Sequence, residues 1–223
     1  MKISYCFFFF LISIFSYGQK DSLQLGDRYA EDQLYLSISF SQFINQPSDI
    51  ENDNFSYSIS GGFIKDIILN NSGTIAIAGG FGFGLDYFNH DLKIEEINSA
   101  SVFSDGTSLD DNSIHMFNFE LPLQLRWRSS TANKYKFWRI YAGVTFLYNL
   151  NNSVDFTEDD STFNYNDISS YRKFQYGATL TAGYGSFNIN IYYGLTSTYE
   201  DALLDNETID TKTIKMGLAF LFL

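Results

Sequence analysis

The chain has 223 residues, 26 acidic against 14 basic, and a formal net charge of −12. Phe (23) and Tyr (16) are abundant, and Pro (2) and Cys (1) are nearly absent. The acidity argues against a nucleic-acid partner. The lone cysteine leaves no disulfide and no thiolate metal site.

In chain order, the first segment reads as an address. Lys2 precedes an apolar stretch from Ile3 to Phe15, then Ser16-Tyr17-Gly18, the pattern of a secretory signal cut after Gly18. The stretch is short for a membrane helix, which needs about 20 residues. Cys6 lies inside it rather than at its end, so it does not read as a lipid anchor. The expected organisation is a signal peptide over 1–18, a short periplasmic segment over 19–32 and one domain over 33–223.

From Gln33 onward the hydrophobicity alternates with period two, the mark of strands with two different faces. Gln33 to Phe43 sets Leu34, Leu36, Ile38 and Phe40 against Tyr35, Ser37, Ser39 and Ser41. Asn54 to Lys65 sets Phe55, Tyr57, Ile59 and Phe63 against serines and Gly62. Thr74 to Asn89 sets Ile75, Ile77, Phe81, Phe83, Leu85 and Tyr87 against Ala, Gly and Asp86. Ser113 to Arg128 is the clearest, with Phe117, Phe119, Leu121, Leu123, Leu125 and Trp127 opposed by Asn118, Glu120, Gln124, Arg126 and Arg128. Four more runs follow: Trp138 to Asn149, Tyr171 to Gly185, Phe187 to Leu195 and Lys212 to Leu223.

Eight strands of about nine to sixteen residues suit a bilayer, which a tilted strand crosses in about 9–11 residues. Soluble strands are nearer five or six. The polar face is mostly Ser, Thr, Gly, Asn and Gln, which fits a crowded lumen. A soluble lipocalin-like barrel would put the apolar residues inside. The fold class expected is therefore all-β, an eight-stranded antiparallel up-and-down transmembrane β-barrel.

The connections alternate in length. Asp66 to Gly73, Ser129 to Phe137 and Gly185-Ser186 are short; Ile44 to Asp53, His90 to Asn112, Leu150 to Ser170 and Thr196 to Thr211 are longer. Such barrels have short periplasmic turns and long external loops. The long loops carry most of the acid, and no spacing in them suits Ca²⁺ as an EF-hand does. Solubility explains that acid; bridging to lipopolysaccharide through cations is the sharper alternative.

Particular residues acquire roles. Trp127 and Trp138 flank one short turn on the apolar face, and with Tyr184, Phe187 and Phe222 they form an expected interface girdle. Glu120 and Lys215 point inward at similar depth, with Arg126 and Arg139 lower. Buried charges need partners, so an inward network is expected, with Glu120–Lys215 as the specific pair. Pro122 lacks a ladder donor, and a bulge is expected there. Two histidines, His90 and His115, give little catalytic material, and neither a Gly-x-Ser-x-Gly elbow nor a metal-ligand cluster is present. No cofactor is expected.

The last strand, Lys215-Met216-Gly217-Leu218-Ala219-Phe220-Leu221-Phe222, resembles the C-terminal assembly signal of outer-membrane barrels, with Lys215, Gly217, Phe220 and Phe222 as its key positions. That resemblance implies recognition by the barrel-insertion machinery through strand pairing. Gly62-Phe63-Ile64-Lys65-Asp66-Ile67, Arg126-Trp127-Arg128 and Tyr135-Lys136-Phe137-Trp138-Arg139-Ile140-Tyr141 sit within the acidic-looped eight-strand layout. Together these resemble the PorT-like outer-membrane β-barrel family of bacteria with type IX secretion. The resemblance implies a non-enzymatic envelope protein surrounded by outer-membrane lipid and lipopolysaccharide, with secretion-system proteins as partners. A narrow solute pore and a membrane-embedded lipid hydrolase are the alternative functions.

Overall fold

A computed structural model describes residues 32–47, 50, 55–129, 138–205 and 207–222. The signal segment, most of the turn containing Lys134 and Lys136, the loop acids Asp49, Glu51 and Asp53, and Leu223 lie outside the described residues. Every named element is a strand: β1 (Gln33–Ile44), β2 (Tyr57–Ile68), β3 (Ile75–Asn89), β4 (Leu92–Ile97), β5 (Ala100–Asp105), β6 (Asp111–Arg128), β7 (Trp138–Glu158), β8 (Ser161–Asn166), β9 (Phe174–Tyr184), β10 (Phe187–Gly194), β11 (Leu203–Leu204), β12 (Glu207–Thr208) and β13 (Lys212–Phe222).

Eight of these form the wall. Antiparallel pairing runs β1-β2-β3-β6-β7-β9-β10-β13, and β13 returns to β1 along Leu34↔Phe222 to Ile44↔Lys212. The sheet thus closes, which alone satisfies every strand's backbone in hydrocarbon. The eight wall strands correspond to the eight alternating runs. β7 extends past Asn149 to Glu158, and β9 begins at Phe174 rather than Tyr171.

The faces separate as the alternation requires. Leu34, Phe81, Leu85, Leu123, Leu125, Ile189 and Met216 are each more than half exposed on the outer wall. On β6, Phe117 and Leu121 are 37% and 42% exposed, while Asn118 and Glu120 are 2% and 8% exposed. A soluble domain does not leave so continuous an apolar surface in water.

Two aromatic belts bound this surface. At the short-turn end, Trp138 lies opposite Tyr184, and Phe187 lies opposite both Tyr184 and Phe220. Trp127 lies opposite Ile140 on the same rim, and Phe222 opposite Leu34. At the other end, Phe40, Phe55, Tyr57, Tyr87 and His115 follow one another in ring contact. Trp127 and His115 on β6 are twelve residues apart, about 40 Å along the strand and about 30 Å along the axis at a 40° tilt, the thickness of a bilayer's hydrocarbon core.

Pro122 does not cause a bulge. The β6–β7 register runs unbroken through Pro122↔Thr145. Towards β3 the ladder passes from Gly79↔Leu123 to Gly82↔Glu120, skipping two pairs without shifting register. The missing N–H interrupts pairing but inserts no residue. The irregularity lies higher, where Phe117↔Asn151 is followed by Asn118↔Asn149. Leu150 is the extra residue, and both Asn149 and Asn152 therefore point inward.

Three of the long loops fold rather than trail. β4 pairs with β5, β8 with the extension of β7, and β11 with β12. Their apolar residues share one buried cluster with inward side chains from the wall's upper ends: within it Phe43 stacks on Phe88 across the wall at 4.2 Å, and the loop residues Phe103 and Tyr199 meet edge-on at 5.3 Å. Ile94, Ile114, Val154, Phe156, Ile168 and Ile209 are essentially dry. The polar-inside rule thus reverses at this end, where an apolar core caps the lumen.

Candidate functional site

The lumen beneath the cap is built from the inward positions of the wall. Glycines on β3 make room in it: a Cβ on Gly82 would collide with the Tyr35 hydroxyl, and one on Gly84 with the Glu120 carboxylate. Tyr35 reaches across and donates to Glu120 at 3.1 Å. Between them lies a cavity of about 80 Å³, bordered by Tyr35, Glu120, Arg126, Tyr141, Tyr192 and Lys215. That volume has room for only a few water molecules.

Three charged groups lie in the upper lumen. Lys215 Nζ donates to Asp86 at 2.6 Å. The carboxylate that takes the lysine is therefore Asp86, and Glu120 holds the Tyr35 hydroxyl instead. Asp86 faces inward from β3 one strand nearer to Lys215's side of the ring than Glu120 on β6. From Asp86 a hydrogen-bonded chain climbs into the cap. Asn118 donates to Asp86 (2.9 Å), Asn149 to Asn118 (2.9 Å) and Asn152 to Asn149 (2.8 Å). The Ile168 amide donates to Asn152 at 2.8 Å. The Leu150 bulge makes this chain possible, because regular alternation would turn Asn152 outward.

A second cluster closes the short-turn end. Asp66 accepts from Arg126 Nη1 at 2.7 Å and from Arg128 Nη1 at 2.5 Å, and all three side chains are 0–1% exposed. Arg126 also donates to Gln124 at 3.0 Å and lies 4.4 Å over the Tyr141 ring. Arg128 Nε donates to the Gly73 carbonyl at 2.8 Å. Arg139 donates to the Gly185 carbonyl, so it ties down the neighbouring turn. Sequence reasoning placed Glu120, Lys215, Arg126 and Arg139 inside, and it missed Asp66, Asp86 and Arg128 as the pairing partners. The signal was present in phase: Asp66 continues the inward parity of Ser58 and Ile64 one step beyond Lys65.

The histidines do not form a relay. His90 is 2% exposed, takes the Leu92 amide on Nδ1 at 3.1 Å and packs edge-on against Phe43. Burial lowers its pKa to about 4, so it is neutral at pH 7. His115 lies on the outer wall, with Ser113 Oγ at 3.4 Å and Asp155 at 3.5 Å. Both contacts fall on Nε2. A nucleophile–base–carboxylate relay needs the two on different ring nitrogens. Among the described residues no three His, Cys, Asp or Glu side chains gather as metal ligands.

The residues of the terminal strand lie where closure occurs. β13 pairs with β1 on one side and β10 on the other, with Gly217 opposite Ser39 and Asn190 and Phe220 opposite Leu36 and Phe187. Lys215 faces the lumen and Phe222 the outer rim.

Among solved structures, the chain is similar to Ail, the attachment invasion locus protein of Yersinia pestis. The identity is 14%, 86% of this chain and 99% of that one are covered, and the TM-score is 0.33. The same protein in complex with the heparin analogue sucrose octasulfate gives 15% identity, the same coverage and a TM-score of 0.36. No curated protein matches. The family model described as outer membrane protein beta-barrel domain matches residues 17–200. This chain therefore belongs to the outer membrane β-barrel domain family and is an outer-membrane β-barrel protein.

Proposed function

We propose that this chain is a structural or accessory barrel of the outer membrane, without catalytic activity, which works through partners at its folded cap and turns. One observation carries the reading: the lumen is shut at both ends, by the Asp66–Arg126–Arg128 cluster below and a dry core above. A narrow pore would need a continuous polar path, and the cap core interrupts it. A lipid hydrolase would need an oriented base, but His90 is sealed in the cap and His115 makes both its polar contacts through the same ring nitrogen. On the rule that outer-membrane barrels carry long loops outside, the cap faces the exterior, in lipopolysaccharide.

Within this reading the PorT-like resemblance supports a role in protein secretion, and the β13 pattern supports recognition by the barrel-insertion machinery. Purification of the tagged protein from native membranes in mild detergent tests the secretion role. Enrichment of secretion-system proteins over an unrelated eight-stranded barrel is expected. Equal recovery from both barrels would remove the secretion role.

A further inference from the structure

β8 presents an open strand edge above the wall. It pairs with β7 from Ser153↔Asn166 to Glu158↔Ser161, and among the described residues no strand pairs with its other side. Five of its six residues are exposed. Natural edges are usually blunted by Lys, Pro, a bulge or a covering segment. Ser-Thr-Phe-Asn-Tyr-Asn carries neither Lys nor Pro, and its pairing with β7 is regular.

The edge is also held in place. Asp159 and Asp160 both adopt left-handed φ, 49° and 60°, as a tight two-residue hairpin turn requires. Phe163 and Tyr165 stack on Phe156 at 5.1 and 6.0 Å, and Phe156 is 1% exposed within the cap core. A strand anchored this way loses little freedom when another strand joins it.

Charge selects the occupant. Glu158 is paired with Lys93 at 2.7 Å and Asp155 takes Asn164, but Asp159 and Asp160 in the turn and Asp167 just past the strand's end add negative charge, and residues 153–170 contain no Lys or Arg. Pairing with a second copy would set these carboxylates against one another, which like charges oppose. A segment bearing Lys or Arg would meet complementary charge.

We propose that the β8 edge takes up an extended, Lys/Arg-bearing segment of a partner protein at the cell surface by strand addition. The proposal rests on the reading that the cap faces outward and serves partners, and it names the surface and the partner's chemistry.

The test uses the full-length protein in lipid nanodiscs and a fluorescent decapeptide of alternating Lys and Val, with the same peptide N-methylated throughout as control. The unmodified peptide should bind. N-methylation should weaken it by about tenfold or more, the loss of more than one backbone hydrogen bond. Asp159→Asn with Asp160→Asn, which keeps side chains that tolerate the left-handed turn, should weaken it about threefold and reduce its salt dependence. Asn164→Lys, which places a blunting charge on the strand, should weaken binding with the barrel intact. Equal binding of both peptides, or no binding to a barrel that shows heat-modifiable mobility, would overturn the proposal. Absence of that mobility would instead overturn the barrel on which the proposal rests. The co-purification outcome bears on the secretion role alone.

Discussion

Replacing Asp66 by Asn should cost this barrel more stability than any other single neutral-for-charged change in the lumen. The carboxylate neutralises two guanidinium groups, Arg126 at 2.7 Å and Arg128 at 2.5 Å, and both arginines are at most 1% exposed. Removing one partner of a buried pair leaves an uncompensated charge and costs about 3–5 kcal/mol. Here the amide keeps the shape and one acceptor, while Arg126 retains Gln124 and the Tyr141 face and Arg128 retains the Gly73 carbonyl. These remaining contacts place the expected loss near the lower bound, about 3 kcal/mol. Urea titration of the barrel in detergent micelles, followed by tryptophan fluorescence and heat-modifiable mobility, reads the change. Exchanging all three residues, Asp66→Leu, Arg126→Met and Arg128→Met, should recover much of the loss, because no buried charge is then unpaired. A loss below about 0.5 kcal/mol for Asp66→Asn would place this site with ordinary exposed pairs and refute the buried-cluster reasoning.

Other outcomes follow from the same geometry. Lys215→Met should destabilise the barrel more than Glu120→Gln, since Lys215 pairs with Asp86 while Glu120 keeps an acceptor for Tyr35 as the amide; equal losses by urea titration would contradict the assignment of partners. His90 is neutral when the cap is folded and takes a proton near its usual pKa when the cap opens. Its contribution is therefore complete above about pH 6.5 and is lost as pH falls towards 4, by roughly 3 kcal/mol. Amide exchange at Leu92 and Ile94 should accelerate over that interval, and His90→Phe should flatten the acceleration. In planar bilayers the protein should give no large, stable openings; reproducible conductance steps would contradict the sealed lumen.

Much of the wall was legible because a period of two is local. Leu121 outside and Glu120 inside follow from four consecutive residues, and Trp127 and Trp138 mark one rim by themselves. The partners of the buried charges were less legible, because pairing across a ring depends on shear and depth. Asp66 falls in an apparent turn because apolar alternation fades at Lys65, although the strand runs to Ile68. The cap was illegible for a different reason. Its core gathers single apolar residues such as Ile50, Ile168 and Ile209 from separate acid-rich loops, and none stands in a run long enough to reveal a period. The Leu150 bulge likewise breaks the alternation where β7 continues, so the periodic run stops at Asn149 and gives no sign of the asparagine chain. The second aromatic belt lacks a tryptophan and emerges only when Phe40, Phe55, Tyr57 and Tyr87 are seen to share a level.

The orientation of the wall is open to direct measurement by quenching with bilayers of brominated lipid. In a background with Trp127 and Trp138 changed to Phe, a single tryptophan is placed at Leu121, at Leu85 or at Tyr141. Leu121 and Leu85 face outward, 42% and 57% exposed, and Tyr141 faces the lumen at 2%. Bromines on the acyl chains should strongly quench the two outward tryptophans and leave the third bright. Comparable quenching at all three, or a quenched Tyr141→Trp with bright outward positions, would mean that these faces are not divided between lipid and lumen.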